Sequence, residues 1–123
     1  MPKDTLTTHN HFISLTTAVE MIKRFRKNEH NIFASEYRGK NVLAFSETFN
    51  KDAFSSFFNN PSCKYIRIYY GMSEDMKVHA ILVGVNEQDE DILHADAVTL
   101  DSLIVEDGRR CPPTCSVSVL NTP

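Results

Sequence analysis

The strongest pattern of apolar and polar positions lies in residues 64–86, which predict a β-hairpin. Its first half, Y-I-R-I-Y-Y, is built from β-branched, aromatic and long side chains, and these suit a pleated, half-buried surface. Successive side chains of a strand point to opposite faces. The more apolar face, which we expect to turn toward the main core, carries Ile66, Ile68 and Tyr70.

The opposite face of this strand combines a cation with aromatic rings, in Tyr65, Arg67 and Tyr69. Arginine presents a planar fork to carboxylates or phosphates, and tyrosine presents amphipathic contact area. One interpretation is therefore a ligand-binding surface. The alternative is ordinary sheet stabilisation, in which Arg67 stacks on tyrosine rings or pairs with an acid.

The second half of the hairpin, residues 78–85, is more uniformly apolar than the first. This predicts a central strand that is covered on both faces. Gly84 inside it indicates a bulge or a close approach of another group to the backbone. The acidic run 87–91 lacks the ligand spacing and the glycine of a calcium loop, so it predicts a solvated turn.

Two other segments have helical spacing. The first begins with Thr16 or Thr17 as its N-cap and runs to about residue 28, because Thr17 and Glu20 fit a capping box. The second begins after Ser46 or Asn50 and ends before Pro61, since proline cannot continue a helix. Its predicted buried stripe consists of Ala53, Phe54, Phe57 and Phe58. Short strands are predicted at 42–45 and 102–106.

Basic residues crowd the second half of the first helix, at Lys23, Arg24, Arg26 and Lys27. They indicate either a binding surface for an anionic partner or a solvated helix face. In the second interpretation, the cations are stabilised by the negative end of the helix dipole.

These elements predict an α+β fold, with an antiparallel sheet of about four strands and two helices packed on one face. A chain of 123 residues is long enough for one domain, which we expect to span residues 1–123. Within it, residues 1–12 are predicted to be a loose N-terminal arm, and residues 109–123 an extended C-terminal tail.

Composition narrows the class of protein. The hydrophobic content of 41 % and the charged content of 24 % are ordinary for a globular protein. A net charge of −3 argues against nucleic-acid binding, which favours a basic surface. No stretch is long and apolar enough for a membrane span or a signal core, so we expect a cytoplasmic protein with no membrane partner.

The three cysteines are an odd number, which does not fit a disulfide framework. Cys111 and Cys115 flank the sequence P-P-T, a longer spacing than in thioredoxin-like motifs and common zinc knuckles. The two prolines are expected to extend the backbone and to oppose a short-loop disulfide. Thiol redox chemistry is one hypothesis for this pair. Zinc binding is another, with Cys63 as a third ligand and His79 or His94 as a fourth.

The motifs R-x-Y-Y-G-M, V-H-A-I-L-V-G-V and C-terminal C-P-P-x-C resemble those of a group of small, uncharacterised bacterial proteins. The resemblance covers nearly the whole chain, residues 13–121. It implies a bacterial, single-domain protein, and it carries no activity, cofactor or partner.

Glu47 is a candidate acid or base if its side chain turns toward Arg67 or His79. A small-molecule or enzymatic pocket would then combine Glu47, Arg67, Tyr69 and His79. However, the sequence contains no recognisable nucleophile–base pair, phosphate loop or complete metal set. The leading hypothesis is therefore a non-catalytic binding or protein-interaction module without a cofactor, which forms a homo-oligomer through a sheet edge or face.

Overall fold

The computed structural model describes residues 10–93, 104–118 and 120. In chain order the elements are helix α1 (Leu15–Ile32), strand β1 (Ser46–Thr48), helix α2 (Ser55–Asn59), and strands β2 (Tyr65–Met72), β3 (Val78–Val85), β4 (Ile104–Val105) and β5 (Arg109–Cys111). Short 3₁₀ turns occupy Ser35–Tyr37 and Lys51–Phe54. This arrangement confirms the α+β class. In the described ranges, no helix has both the length and the apolar content to cross a membrane.

The described strands form two antiparallel sheets. The larger has the order β2-β3-β4, and the smaller pairs β1 with β5. The prediction of one sheet of about four strands, with two helices on one face, is therefore not confirmed. Residues 109–111, predicted to belong to an extended tail, form the strand β5 opposite β1. Residues 1–9 of the predicted arm, and 119 and 121–123 of the predicted tail, lie outside the described residues.

The predicted hairpin is confirmed, with β2 and β3 paired from Tyr65↔Val85 to Met72↔Val78. Its turn has three central residues, and the last of them, Met76, adopts a φ of 66°. Such loops end with a residue in the left-handed region. The Ser73 hydroxyl donates to the Asp75 carboxylate and lowers the pKa of Asp75.

The acidic run forms a second turn of the same kind. Asn86 N donates to Glu90 O at 2.9 Å, and Asp89 N donates to Asn86 O at 3.1 Å. Asp89 has a φ of 66°, as Met76 has in the first turn. The turn returns the chain alongside β3 and places Asp91 opposite Val85. The acidic residues thus form a tight turn, which places Asp91 and its carboxylate beside β3.

Strand β3 is the central strand of the larger sheet, as predicted, and its second half is buried. Val83 and Val85 are 3 % and 1 % exposed. A Cβ at Gly84 would lie 3.0 Å from Cys63 Sγ and 3.4 Å from the Phe57 ring. The expected close approach at Gly84 is therefore present. The core cluster consists of Phe57, Leu82 and Val105.

The expected orientation of β2 was wrong. The apolar face that was predicted to turn toward the core is exposed, at 44 % for Ile66, 51 % for Ile68, 77 % for Tyr70 and 55 % for Met72. The reason is the position of the second helix. Helix α2 packs Phe57 over Leu82 and Val105, on β3 and β4. The core cluster that Phe57 joins contains no residue of β2.

The helices differ in detail from their prediction. Helix α1 is capped by Ser14, whose Oγ accepts from Thr17 N at 3.0 Å, rather than by Thr16 or Thr17. The segment Ser46–Thr48 is a strand, not the start of the second helix. Asn50 caps the 3₁₀ turn Lys51–Phe54 that leads into α2, and its Oδ1 accepts from Asp52 N at 2.8 Å. The N-cap of α2 itself is Phe54, which makes no side-chain cap hydrogen bond.

Two further predictions need correction. Phe58 was predicted to share the buried stripe of the second helix, but it is 78 % exposed. Residues 42–45 were predicted to be a strand and are irregular up to β1. The strand predicted at 102–106 is present as Ile104–Val105, while 102 and 103 lie outside the described residues.

Candidate functional site

Arg67 and Tyr69 belong to a cluster with two acids from the second turn. Arg67 Nη1 donates to Asp91 Oδ1 at 2.6 Å, and Nη2 donates to Asp89. The Tyr69 hydroxyl donates to the other oxygen of Asp91. Because Asp91 pairs with one side of β3 and Arg67 with the other, this cluster bridges the central strand.

This cluster supports the stabilising interpretation of Arg67. Its guanidinium fork is occupied by Asp89 and Asp91 instead of being open to a ligand. Hydrogen bonding to Tyr69, followed by the charges of the two carboxylates, raises the pKa of Arg67. Tyr65, the third residue of the predicted ligand surface, lies half-buried at the start of β2.

Glu47 and His79 form a separate cluster with Glu106. His79 Nδ1 lies 3.2 Å from a Glu106 oxygen and 3.8 Å from Glu47 Oε1. The His79 and Glu47 side chains are only 18 % and 15 % exposed. Of the two orientations considered for Glu47, the structure has the one toward His79, and not the one toward Arg67. Glu106 was not among the candidates, because its contact depends on the folded chain.

The four residues of the predicted pocket do not share one site. His79 and Arg67 project from the same face of the larger sheet, but Arg67 pairs with Val83, four residues further along β3. Four residues of a strand span about 13 Å. Glu47 and His79 lie at one end of this distance, and Arg67 lies at the other. Tyr69 stands between them opposite Ile81, and its hydroxyl joins the Arg67 cluster through Asp91, so the structure forms two clusters.

Arg110 joins the two sheets, a role that no local pattern in the sequence indicated. Its Nη1 donates to Val78 O, and its Nη2 donates to Asn41 O at 2.7 Å and to Val42 O at 3.3 Å. From β1, Glu47 Oε2 accepts from the backbone N of Ala80 at 2.9 Å. Both side chains thus bind backbone groups at the first half of β3.

A further feature of the larger sheet is the edge of β2 away from β3, which is open: no other strand pairs with it in residues 10–93, 104–118 and 120. In an antiparallel ladder, residues direct their backbone groups alternately to one side and the other. Ala80 N binds Glu47 on the side of β3 away from β2, so its partner Tyr70 directs its own backbone groups away from β3. By alternation, the residues with outward backbone groups are Ile66, Ile68, Tyr70 and Met72. These are also the residues with exposed apolar side chains.

The cysteines divide into a bonded pair and a free thiol. Cys111 and Cys115 form a disulfide with a Cα–Cα distance of 4.8 Å. The expectation that the prolines oppose such a bond was wrong, because the chain turns after β5 and Thr114 N donates to Arg110 O at 3.1 Å. Cys63 is free, and its Sγ donates to Tyr65 O at 3.4 Å beside the core.

Metal coordination by these residues finds no geometric support. Within residues 10–93, 104–118 and 120, no group of three or more His, Cys, Asp or Glu side chains is placed to hold a metal ion. His94 lies outside the described residues.

Comparisons of the chain with protein-family models, curated proteins and solved structures find no match.

Proposed function

We propose that this protein is a non-catalytic protein-interaction module that forms a homodimer by pairing strand β2 of two copies. The observation that carries the proposal is the coincidence of an exposed apolar face with an open sheet edge, in the same four residues: Ile66, Ile68, Tyr70 and Met72. A single strand from a second copy can therefore pair with the outward backbone groups of β2 and also bury its exposed apolar side chains.

Strand β2 lacks the features that protect sheet edges from pairing. Natural edge strands are short, or they carry lysine, proline or a bulge. Strand β2 has eight residues without lysine or proline. Its one charged residue, Arg67, is engaged by Asp89 and Asp91 on the other face. Such an edge favours association with another strand.

A particular register uses all the outward backbone groups. If two copies pair antiparallel about Tyr69, then Ile66 lies opposite Met72 of the second copy, and Ile68 lies opposite its Tyr70. Each pair places an aliphatic side chain beside another large apolar side chain, which stabilises antiparallel sheets. The two three-stranded sheets become one continuous sheet.

The same register is favoured by charge. Lys64, just before β2, lies opposite Glu74 of the second copy, and the two-fold axis repeats this pair. Both residues are exposed in the single chain. Opposite charges at facing positions stabilise a strand pair, whereas like charges destabilise it. The edge is therefore complementary to itself in charge as well as in apolar surface.

The expected effect of Ile68→Lys is a rise of at least about tenfold in the dimer dissociation constant, which corresponds to about 1.4 kcal/mol. The substitution removes an apolar contact and places a charge within the pairing edge. Sedimentation velocity over a micromolar concentration series measures the constant. The matched control is Ile32→Lys in α1, where the isoleucine is 65 % exposed, and dimerisation should be unchanged. A wild-type protein that is strictly monomeric at micromolar concentration contradicts the proposal.

The register is tested by reversing charges. Lys64→Glu places glutamates opposite each other twice in the dimer, and we expect it to weaken the dimer about fivefold at low salt. The double variant Lys64→Glu/Glu74→Lys restores opposite charges and should restore the dissociation constant. If the double variant is no tighter than the single one, the strands pair in another register.

The cellular setting is part of the same proposal. We place the protein in the bacterial cytoplasm, as a single domain, without a nucleic-acid or membrane partner. The resemblance of its three motifs to small bacterial proteins supports this origin. The net charge of −3 is consistent with protein partners rather than nucleic acid.

A further inference from the structure

A second feature, remote in sequence from β2, is a basic groove beside the disulfide. The groove has a volume of about 700 Å³. It is lined by Lys23, Arg26 and Lys27 of α1, together with Phe45, Cys111, Cys115 and Ser116. The cations of α1, for which the sequence left an anion-binding interpretation open, thus lie around a sulfur–sulfur bond.

The two sulfurs have different surroundings. Cys111 is 3 % exposed and is held in β5, where its carbonyl accepts from Phe45 N at 2.6 Å. Cys115 is exposed and follows the turn after β5. An incoming thiolate therefore reaches Cys115 more easily, and Cys111 becomes the leaving group.

The cationic side chains that line the groove have defined positions on α1. The Arg26 guanidinium lies 4.3 Å from the centroid of the Phe45 ring, which positions this cation at the wall. Lys23 and Lys27 are one helical turn apart, so they lie on the same side of α1. Cations near a cysteine stabilise its thiolate form, and they attract anionic ligands.

We propose that the Cys111–Cys115 disulfide exchanges with small anionic thiols, which Lys23, Arg26 and Lys27 recruit to the groove. The thiolate of the small molecule attacks Cys115 Sγ, the protein disulfide breaks, and Cys111 leaves as a thiolate. A second small thiolate then attacks the small-molecule sulfur of the mixed disulfide. This step releases a small-molecule disulfide and Cys115 as a thiolate, so two thiols supply the two electrons.

The chemistry is reversible because the cysteines remain close in the chain. Three residues separate them, and Cys111 can attack the mixed disulfide at Cys115 and expel the small thiol. This cycle suits a reducing compartment, where protein disulfides are typically transient or redox-sensing. It is independent of the proposed dimer, since none of its residues belongs to β2.

The test compares 2-mercaptoethanesulfonate, which is anionic, with 2-mercaptoethanol, which is neutral. Rates of disulfide opening in the whole protein are measured by acid quench, alkylation and mass spectrometry. Each rate is divided by that of the same thiol with a small uncharged disulfide. At low salt we expect the normalised rate for the anionic thiol to exceed that for the neutral thiol about tenfold. This factor is at the lower end of the rate increases that charged clefts produce. Peptide mapping should place the first mixed disulfide on Cys115.

The double variant Lys23→Gln/Lys27→Gln should bring this preference close to one. The rate for 2-mercaptoethanol should fall less than that for 2-mercaptoethanesulfonate, because its attacking thiolate carries one negative charge rather than two. The matched control, Lys40→Gln/Lys51→Gln, removes the same charge from exposed positions that do not line the groove. A wild-type preference near one, or an equal loss in both double variants, would overturn the proposal. A purified protein whose Cys111 and Cys115 cannot be oxidised to the disulfide would overturn it as well.

Discussion

Replacing Phe57 by alanine is expected to lower the free energy of unfolding by about 3–5 kcal/mol. Phe57 is 2 % exposed, and it packs with Leu82 and Val105 in the core cluster. Its ring centroid lies 5.8 Å from that of Phe54. Removing the ring costs its burial energy and leaves a cavity beside Gly84, where the backbone offers no side chain to fill it.

The matched control is the neighbouring residue in the same helix. Phe58 is 78 % exposed, so Phe58→Ala should change the free energy of unfolding by less than about 0.5 kcal/mol. Urea denaturation followed by circular dichroism measures both variants under the same conditions. Equal losses for the two substitutions would contradict this placement of α2. Domains of ordinary stability have about 5–15 kcal/mol, so Phe57→Ala is expected to be close to the limit of folding.

Arg110→Met is expected to lower the free energy of unfolding by about 1.5–3 kcal/mol, the range for hydrogen bonds to a charged group. The guanidinium donates to the carbonyl of Val78 at the start of β3. It also donates to the carbonyls of Asn41 and Val42, in the irregular segment before β1. Methionine keeps an apolar stem of similar length but has no donors. The carbonyls of Val78 and Asn41 then lose the guanidinium, whereas Val42 O keeps its hydrogen bond from Val78 N.

Arg109→Met controls for the loss of a positive charge in β5. Arg109 is exposed and pairs in register with Thr48. Its replacement should change stability by less than about 0.5 kcal/mol, as is usual for a surface position. Hydrogen exchange adds a local test, because loss of Arg110 should speed exchange at Val78 N, which donates to Val42 O at 2.7 Å. If Arg109→Met and Arg110→Met are equally stable, Arg110 does not join the sheets.

Local structure was predictable from the sequence because short-range patterns of residues decide it. The alternation in residues 64–86 predicted the hairpin, and the apolar run in 78–85 predicted its central strand. Turn-forming residues between the strands predicted the loop that ends at Met76. Asn50 was predicted as a cap and does cap the 3₁₀ turn that leads into α2. Each of these features depends on neighbours within a few positions of the chain.

The orientation of β2 was not predictable in the same way. Alternation divides a strand into two faces, but it does not say which face the rest of the chain will cover. Apolar content favoured the face of Ile68, whereas the structure leaves it exposed at 51 %. The covering element, α2, has five residues and lies over β3 and β4. The position of that helix decides the result.

The candidate site shows the same division. The residue types of Glu47, His79, Arg67 and Tyr69 marked them as capable of polar chemistry. Their grouping, however, depends on contacts between distant positions. Arg67 and Asp91 are separated by 24 residues, and Glu47 and Ala80 by 33. Spacing along the chain contains no signal for such pairs, so Arg110, Glu106 and the two acids of the second turn were missed.

The sequence by itself determined the α+β class, the hairpin and the central strand, because periodicity and turn chemistry act over a few residues. Only the tertiary structure decided that the apolar face of β2 stays exposed, that Arg67 is occupied by acids, and that Cys111 bonds to Cys115. These outcomes depend on which segments reach one another when the chain folds. Contacts of that kind follow from packing and chain reversal, and a local pattern does not encode them.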